Sequence, residues 1–290
     1  MWLTEMLASP LMQRALIVAV LVGVSAPIVG TYLVQRSMAL MGDGIGHISL
    51  TGVALGWLIG SGIGLAPADS LAIPGAILAS ILGALAIEAL RSRGRTGSDV
   101  ALAMLFYGGI AGGVVLIRVA GGTTTNLTSY LFGSIATVSS ADVAYTVGLA
   151  AFIMLVGLGL RGPLFALSYD GEFARACGLR VGALNVCVAM LAALTVSVSM
   201  RVVGALLVSA IMIIPVAIGQ LVANSFKGTM LIGMSVGVLV CVSGLVITYV
   251  YPFSPGAMIV LLAVGVYLLV TLVHPLVEHA RGVHTLRIEH

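Results

Sequence analysis

Met38-Ala-Leu-Met-Gly-Asp-Gly-Ile-Gly-His-Ile-Ser-Leu-Thr51 places Asp43 and His47 in a stretch that otherwise reads as a membrane span. At i and i+4 on a helix, two side chains project from one face about one turn apart. A carboxylate with an imidazole is a usual pair for a divalent metal. Leaving an ionisable group in hydrocarbon costs at least about 2.5 kcal/mol, so such a pair marks a functional site by default. The structural alternative is an Asp–His hydrogen bond that holds two helices together.

Composition supports the membrane reading. The 290 residues are 60% hydrophobic and 8% charged, with a mean hydropathy of +1.19, whereas roughly a quarter of a soluble domain's residues carry charge. Apolar runs of about twenty residues, without ten-residue alternation, predict helices and exclude a barrel. The 37 glycines suit close helix packing in lipid. A net charge of +3, carried mostly by short loops, points to membrane orientation and to no nucleic-acid partner. Cys177, Cys187 and Cys241 show no CxxC spacing and read as buried thiols.

The fold expected is an all-α integral membrane protein of about nine transmembrane helices (eight to ten), forming a single permease domain over residues 1–290. Spans are expected at about 15–34, 38–60, 71–90, 98–117, 143–160, 184–199, 202–222, 229–249 and 257–273, the first being a retained span and not a signal peptide. Ser98 reads as an N-cap with Asp99 in the first turn, and a short, partly inserted helix is expected at 127–135. Arg91-Ser-Arg-Gly-Arg95 is the densest basic cluster, and the positive-inside rule places it in the cytoplasm. The segment 161–182, the loop at Lys227 and a polar tail at about 274–290 then also lie inside. The C-terminus is cytoplasmic and the N-terminus outside. His47 falls roughly 13 Å along its helix, near the midplane of a core roughly 30 Å thick.

Gly42, Gly44 and Gly46 alternate around Asp43 where a stable helix avoids glycine, each costing about 1 kcal/mol relative to alanine. They allow a close helix crossing or a local break that turns carbonyls toward an ion. One chain supplies two ligands only. A symmetric dimer would gather two carboxylates and two imidazoles on one axis.

The chain resembles the membrane permease subunit of ATP-binding-cassette importers for zinc, manganese or iron(II). The residues that carry the resemblance are Arg36 to His47 with Thr51-Gly-Val-Ala-Leu-Gly56, Asp99-Val-Ala-Leu102, Leu131-Phe-Gly-Ser-Ile135, Tyr169-Asp-Gly-Glu-Phe-Ala-Arg-Ala-Cys-Gly178, and Arg201-Val-Val-Gly-Ala-Leu-Leu-Val-Ser-Ala-Ile-Met-Ile-Ile-Pro215. The resemblance implies a homodimer in a bacterial cytoplasmic membrane, two cytoplasmic ATPase subunits and an extracytoplasmic metal-binding protein. It also implies that Asp43 and His47 line the metal path. By the same resemblance, Asp170, Glu172, Phe173, Ala174, Arg175 and Gly178 belong to a coupling helix that docks on the ATPase. Independently, the charged, amphipathic character of that segment suits a small docked helix. Thr51 and Gly171 stand where the family commonly has proline, so the local helix geometry and the coupling turn are expected to differ there.

Other features read as structural. Pro215 is expected to kink its helix, and Glu88 to pair with Arg91 or Arg93. His274, His279, His284 and His290 are spaced so that no single helix face collects them, and they read as a polar tail. The sequence holds no G-x-x-x-x-G-K-[ST] phosphate loop, and its single lysine is Lys227, so the chain reads as a transport subunit and not an enzyme. No permanent cofactor is expected, and zinc or manganese would bind in transit. The alternatives are a stand-alone, ion-coupled metal transporter and a permease for a metal chelate.

Overall fold

Helix boundaries follow local capping chemistry. The computed structural model describes residues 2–65, 68–93, 98–121, 123–135, 138–200 and 202–280, and every helical element named below lies within them. After α1 (Trp2–Ala8), α2 (Pro10–Gln35) starts with Ser9 at the N-cap and proline in its first turn, a position where the missing N–H costs nothing. α3 (Leu40–Gly62) and α4 (Ala72–Arg93) are joined through a short 3-10 turn at Ala68–Leu71, and α5 (Ser98–Val119) and α6 (Thr124–Phe132) follow. α7 (Ser140–Gly159) opens on a reciprocal capping box: Asp142 N–H donates to Ser139 Oγ at 3.1 Å and Ser139 N–H to Asp142 Oδ2 at 2.9 Å, satisfying two orphan donors at once. Then come α8 (Arg161–Tyr169), α9 (Gly171–Ala176), α10 (Val181–Ser199), α11 (Val208–Val222), α12 (Phe226–Val250) and α13 (Pro255–Ala280).

Eight of these helices are long and apolar enough to span a bilayer: α2, α3, α4, α5, α7, α10, α12 and α13. α2 is the most buried and packs against α12, α11, α7 and α10, while α3 is clasped between α4 and α5. The α2–α12 and α3–α4 crossings run on glycine. Gly23 and Gly237 face each other's backbone, as do Gly52 and Gly75, and a Cβ at any of the four would strike main-chain atoms. Small residues at a crossing let two backbones touch where lipid supplies no hydrophobic drive.

The span expected at 202–222 is shorter than its apolar run. α11 has 15 residues, or roughly 22 Å of helix against a core of roughly 30 Å. Val202–Leu207 is non-helical yet buried at Val202, Val203 and Ala205. Irregular backbone survives at membrane depth only when protein satisfies its polar groups. Here the Ala205 N–H donates to the Tyr130 carbonyl at 2.9 Å and the Leu206 N–H to the Leu131 carbonyl at 3.2 Å, at the end of α6. Gly133 (φ +76°) and Gly204 (φ +89°) make that approach possible, since both sit in a conformation that side chains disfavour.

Other expectations shift in detail. α3 runs unbroken through Gly42, Gly44 and Gly46, so of the two roles open to these glycines the close crossing is the one found. The segment at about 274–290 begins as helix, because α13 continues to Ala280 through Pro275; His284 and His290 lie outside the described residues, as does the side chain of His279. Cys177 is exposed and not buried, since it caps the end of α9. Glu88 is buried, while the side chains of its expected partners Arg91 and Arg93, and of Ser98 and Asp99, lie outside the described residues.

Candidate metal site

Asp43 falls in the first turn of α3, where the helix dipole favours a negative charge. It is 27% exposed, whereas His47, one turn on, is 1% exposed. The imidazole sits edge-on to the Phe106 ring of α5 at 4.1 Å between centroids. Behind it α5 presents Gly109, where a Cβ would lie 2.6 Å from the His47 carbonyl carbon. Thr51 completes this crossing by donating its hydroxyl to the Gly109 carbonyl at 2.7 Å. The residue standing in place of a common proline therefore fastens α3 to α5 just beyond His47.

The three flanking glycines serve three separate neighbours. Gly42 faces Met212 and Ser209 of α11, Gly44 faces Leu102 of α5 with Ile87 of α4 behind it, and Gly46 faces the Ala205 carbonyl of the non-helical stretch. Their role is close packing on three sides of the helix that carries Asp43 and His47. Pro215 is buried inside α11, which remains helical through it.

His47 Nε2 lies 3.8 Å from Asp43 Oδ1, too far for a hydrogen bond. Among the described residues, neither ring nitrogen has a hydrogen-bond partner. The structural alternative of an Asp–His hydrogen bond is therefore not what the geometry contains. A buried imidazole without partners is costly, about 1–3 kcal/mol for each unsatisfied group, and such an orphan requires an explanation, an ion or a water being the usual ones. With metal–nitrogen and metal–oxygen bonds of about 2.0–2.2 Å, one ion holds two ligands about 3.0 Å apart at a right angle and about 4.2 Å apart when opposed. The observed 3.8 Å falls inside that range. Among the described residues no three His, Cys, Asp or Glu side chains cluster, so Asp43 and His47 stand as a pair.

At one end of the bundle, α9 is built as the sequence suggests. Asp170 is its N-cap, its Oδ1 accepting from Glu172 N–H at 2.9 Å and Phe173 N–H at 3.0 Å. The helix closes in a Schellman turn: Leu179 N–H bonds the Ala174 carbonyl, Gly178 N–H bonds the Arg175 carbonyl, and Gly178 takes φ +80°, a closure that suits glycine. Ala174 is buried, while Phe173 and Tyr169 are exposed at 62% and 77%. Glu172 and Arg175 also face outward. A cavity of about 460 Å³ separates this segment from the α2–α3 turn, lined among others by Arg36, Ser37, Asp170, Glu172 and Arg175. Arg36 donates to Asn185 Oδ1 of α10 at 2.7 Å, so the turn that precedes the Asp43 helix is tied to the helix that follows α9.

Sequence reasoning missed Ser209, whose hydroxyl donates to Asp43 Oδ1 at 3.2 Å across 166 positions. A lone serine in an apolar run carries no periodic signal. It also missed that two of the quoted motifs meet, Leu131-Phe-Gly133 docking on Val202-Val-Gly204.

A bundle of bilayer-length apolar helices, one of which carries a carboxylate and an orphaned histidine a turn apart, defines a multi-pass membrane protein, and comparison with known proteins gives its family. Residues 8–274 match the model of the ABC 3 transport family, and the chain belongs to that family. It is similar to the manganese import system permease protein ScaB of Streptococcus parasanguinis, 34% identical over 91% of each chain. It is also similar to the chelated iron transport system membrane protein YfeD of Yersinia pestis, 32% identical over 90% of this chain and 84% of that one. The solved structure of PsaBC from Streptococcus pneumoniae in complex with Fab superposes with a TM-score of 0.81 at 32% identity, covering 92% of this chain and 94% of that one. The chain is thus a multi-pass membrane permease of an ABC transport system.

Proposed function

We propose that two copies of this chain form the membrane path of an importer for a divalent transition-metal ion, driven by separate cytoplasmic ATPase subunits. The observation that carries the reading is His47, buried and unpartnered 3.8 Å from Asp43. Two such pairs about a two-fold axis give a mixed nitrogen and oxygen set that accepts zinc, manganese and iron(II) alike, and zinc or manganese is the cargo proposed ahead of iron(II). The ion binds in transit only, because a conducting site must release what it holds. The names of the relatives favour manganese. An iron-chelate cargo takes support from the name of the Yersinia relative, but a chelated metal has no open position for an imidazole to fill.

The ATPase meets the face that carries α9, with Phe173 and Tyr169 as the exposed apolar anchors. The Arg36–Asn185 bond would pass movement of that face to the α2–α3 turn. In this orientation the α9 end is cytoplasmic, the N-terminus is outside, and an extracytoplasmic metal-binding protein delivers the ion to the opposite face.

The test is growth of a metal-uptake-deficient bacterium that carries the chain with or without its ATPase and binding protein, fed Mn²⁺, Zn²⁺ or Fe²⁺ separately. Rescue by Mn²⁺ or Zn²⁺ is expected only with the full set of partners. Uptake by the purified chain in liposomes without any ATPase would overturn the reading, and so would rescue by a metal chelate alone.

A further inference from the structure

Ser209 stands at the start of α11, immediately after the non-helical Val202–Leu207. Its Oγ lies 3.2 Å from Asp43 Oδ1, and that same oxygen is the one 3.8 Å from His47 Nε2. Among the described residues, Ser209 is the hydrogen-bond donor that this carboxylate has. A partly exposed aspartate without a donor turns freely among rotamers. One hydroxyl donor fixes it and uses a single lone pair, leaving the other on Oδ1 and both on Oδ2 for an ion.

The geometry points to Ser209 as a positioning residue for ion capture: its hydroxyl holds the Asp43 carboxylate turned toward His47, so an arriving cation meets two ligands already aimed. The inference rests on the reading of Asp43 and His47 as ion ligands. The serine is placed by a contact outside α3. α11 begins at Val208 because the preceding stretch is anchored to α6 by the Ala205 and Leu206 N–H groups. Ser209 therefore carries the position of that anchored stretch directly to the carboxylate.

The test is equilibrium dialysis of the full chain in lipid nanodiscs against Mn²⁺, Zn²⁺ or anaerobic Fe²⁺ alone, with bound metal read by elemental analysis. Ser209→Ala is expected to weaken binding about tenfold, the loss typical when a group that orients a metal ligand is removed. Ser209→Thr keeps the hydroxyl and is expected to stay within about twofold of the original. Thermal unfolding of both variants should match the parent, which separates positioning from support of the fold. Binding by Ser209→Ala equal to the parent's would overturn the inference, as would Ser209→Thr binding as weakly as Ser209→Ala. Asp43→Ala runs alongside. If it loses binding and Ser209→Ala does not, only the role of Ser209 falls. If Asp43→Ala binds like the parent, or the parent binds none of the three ions, the metal site falls with it.

Discussion

Metal uptake is expected to drop by at least about a hundredfold when either Asp43 or His47 is replaced by alanine. Groups that merely orient a metal ligand are worth about ten- to a hundredfold in affinity, so a direct ligand is worth no less. The stability of the two variants should separate the site from a structural pair. Asp43 is partly exposed and, among the described residues, receives one long bond, from Ser209, so its loss should leave the folded chain within about 0.5 kcal/mol. His47 is buried with both nitrogens unsatisfied among the described residues, so His47→Leu removes a desolvation cost of about 1–3 kcal/mol. That variant is expected to unfold at the parent's temperature or above it while transporting nothing. Loss of folded protein in step with loss of uptake would instead make the pair a structural element. Uptake in cells and thermal unfolding in detergent give the two readouts.

Gly204→Ala is expected to be among the most damaging glycine-to-alanine changes in the described residues. Its φ of +89° is disfavoured for any residue with a Cβ, and that Cβ would meet the Leu131 carbonyl oxygen and lie 2.5 Å from the Gly133 nitrogen. Both are main-chain atoms, fixed by the bonds from Ala205 and Leu206 to the end of α6. Backbone strain and overpacking together come to about 2–4 kcal/mol, and the displaced stretch takes Ser209 with it. Both the folded yield and uptake should fall. The control is Gly148→Ala in α7, where a Cβ meets nothing within 4 Å; that change should be neutral or stabilise by up to about 1 kcal/mol, because alanine favours helix. Equal unfolding temperatures for the two variants would contradict the structural role given to the docked stretch.

Much of this was legible in the chain itself. Uninterrupted apolar runs disclose spanning helices because length and hydropathy are all a bilayer asks of them. The Asp43–His47 pair stood out because ionisable groups are rare in such runs. A small helix at α9 was legible in its charged, amphipathic segment, while its caps at Asp170 and Gly178 emerge only in the structure. The shortening of α11 was hidden, since Val202-Val-Gly-Ala-Leu-Leu207 is as apolar as a helix in lipid. What ends the helix there is a partner some seventy residues earlier, in the Tyr130–Gly133 stretch, and no local pattern records it. Ser209 was hidden for the same reason, because its meaning depends on a carboxylate brought to it by the fold. The alternating glycines could have meant a break or a crossing. Only the neighbours of Gly42, Gly44 and Gly46 decide between the two.

The claim that two copies of the chain share one ion is tested most directly by the metal-to-chain ratio of the purified transporter, loaded with Mn²⁺ or Zn²⁺ and measured by elemental analysis. One ion for every two chains is expected, lost entirely in His47→Leu. A ratio of one ion per chain, or a ratio that His47→Leu leaves unchanged, would contradict it.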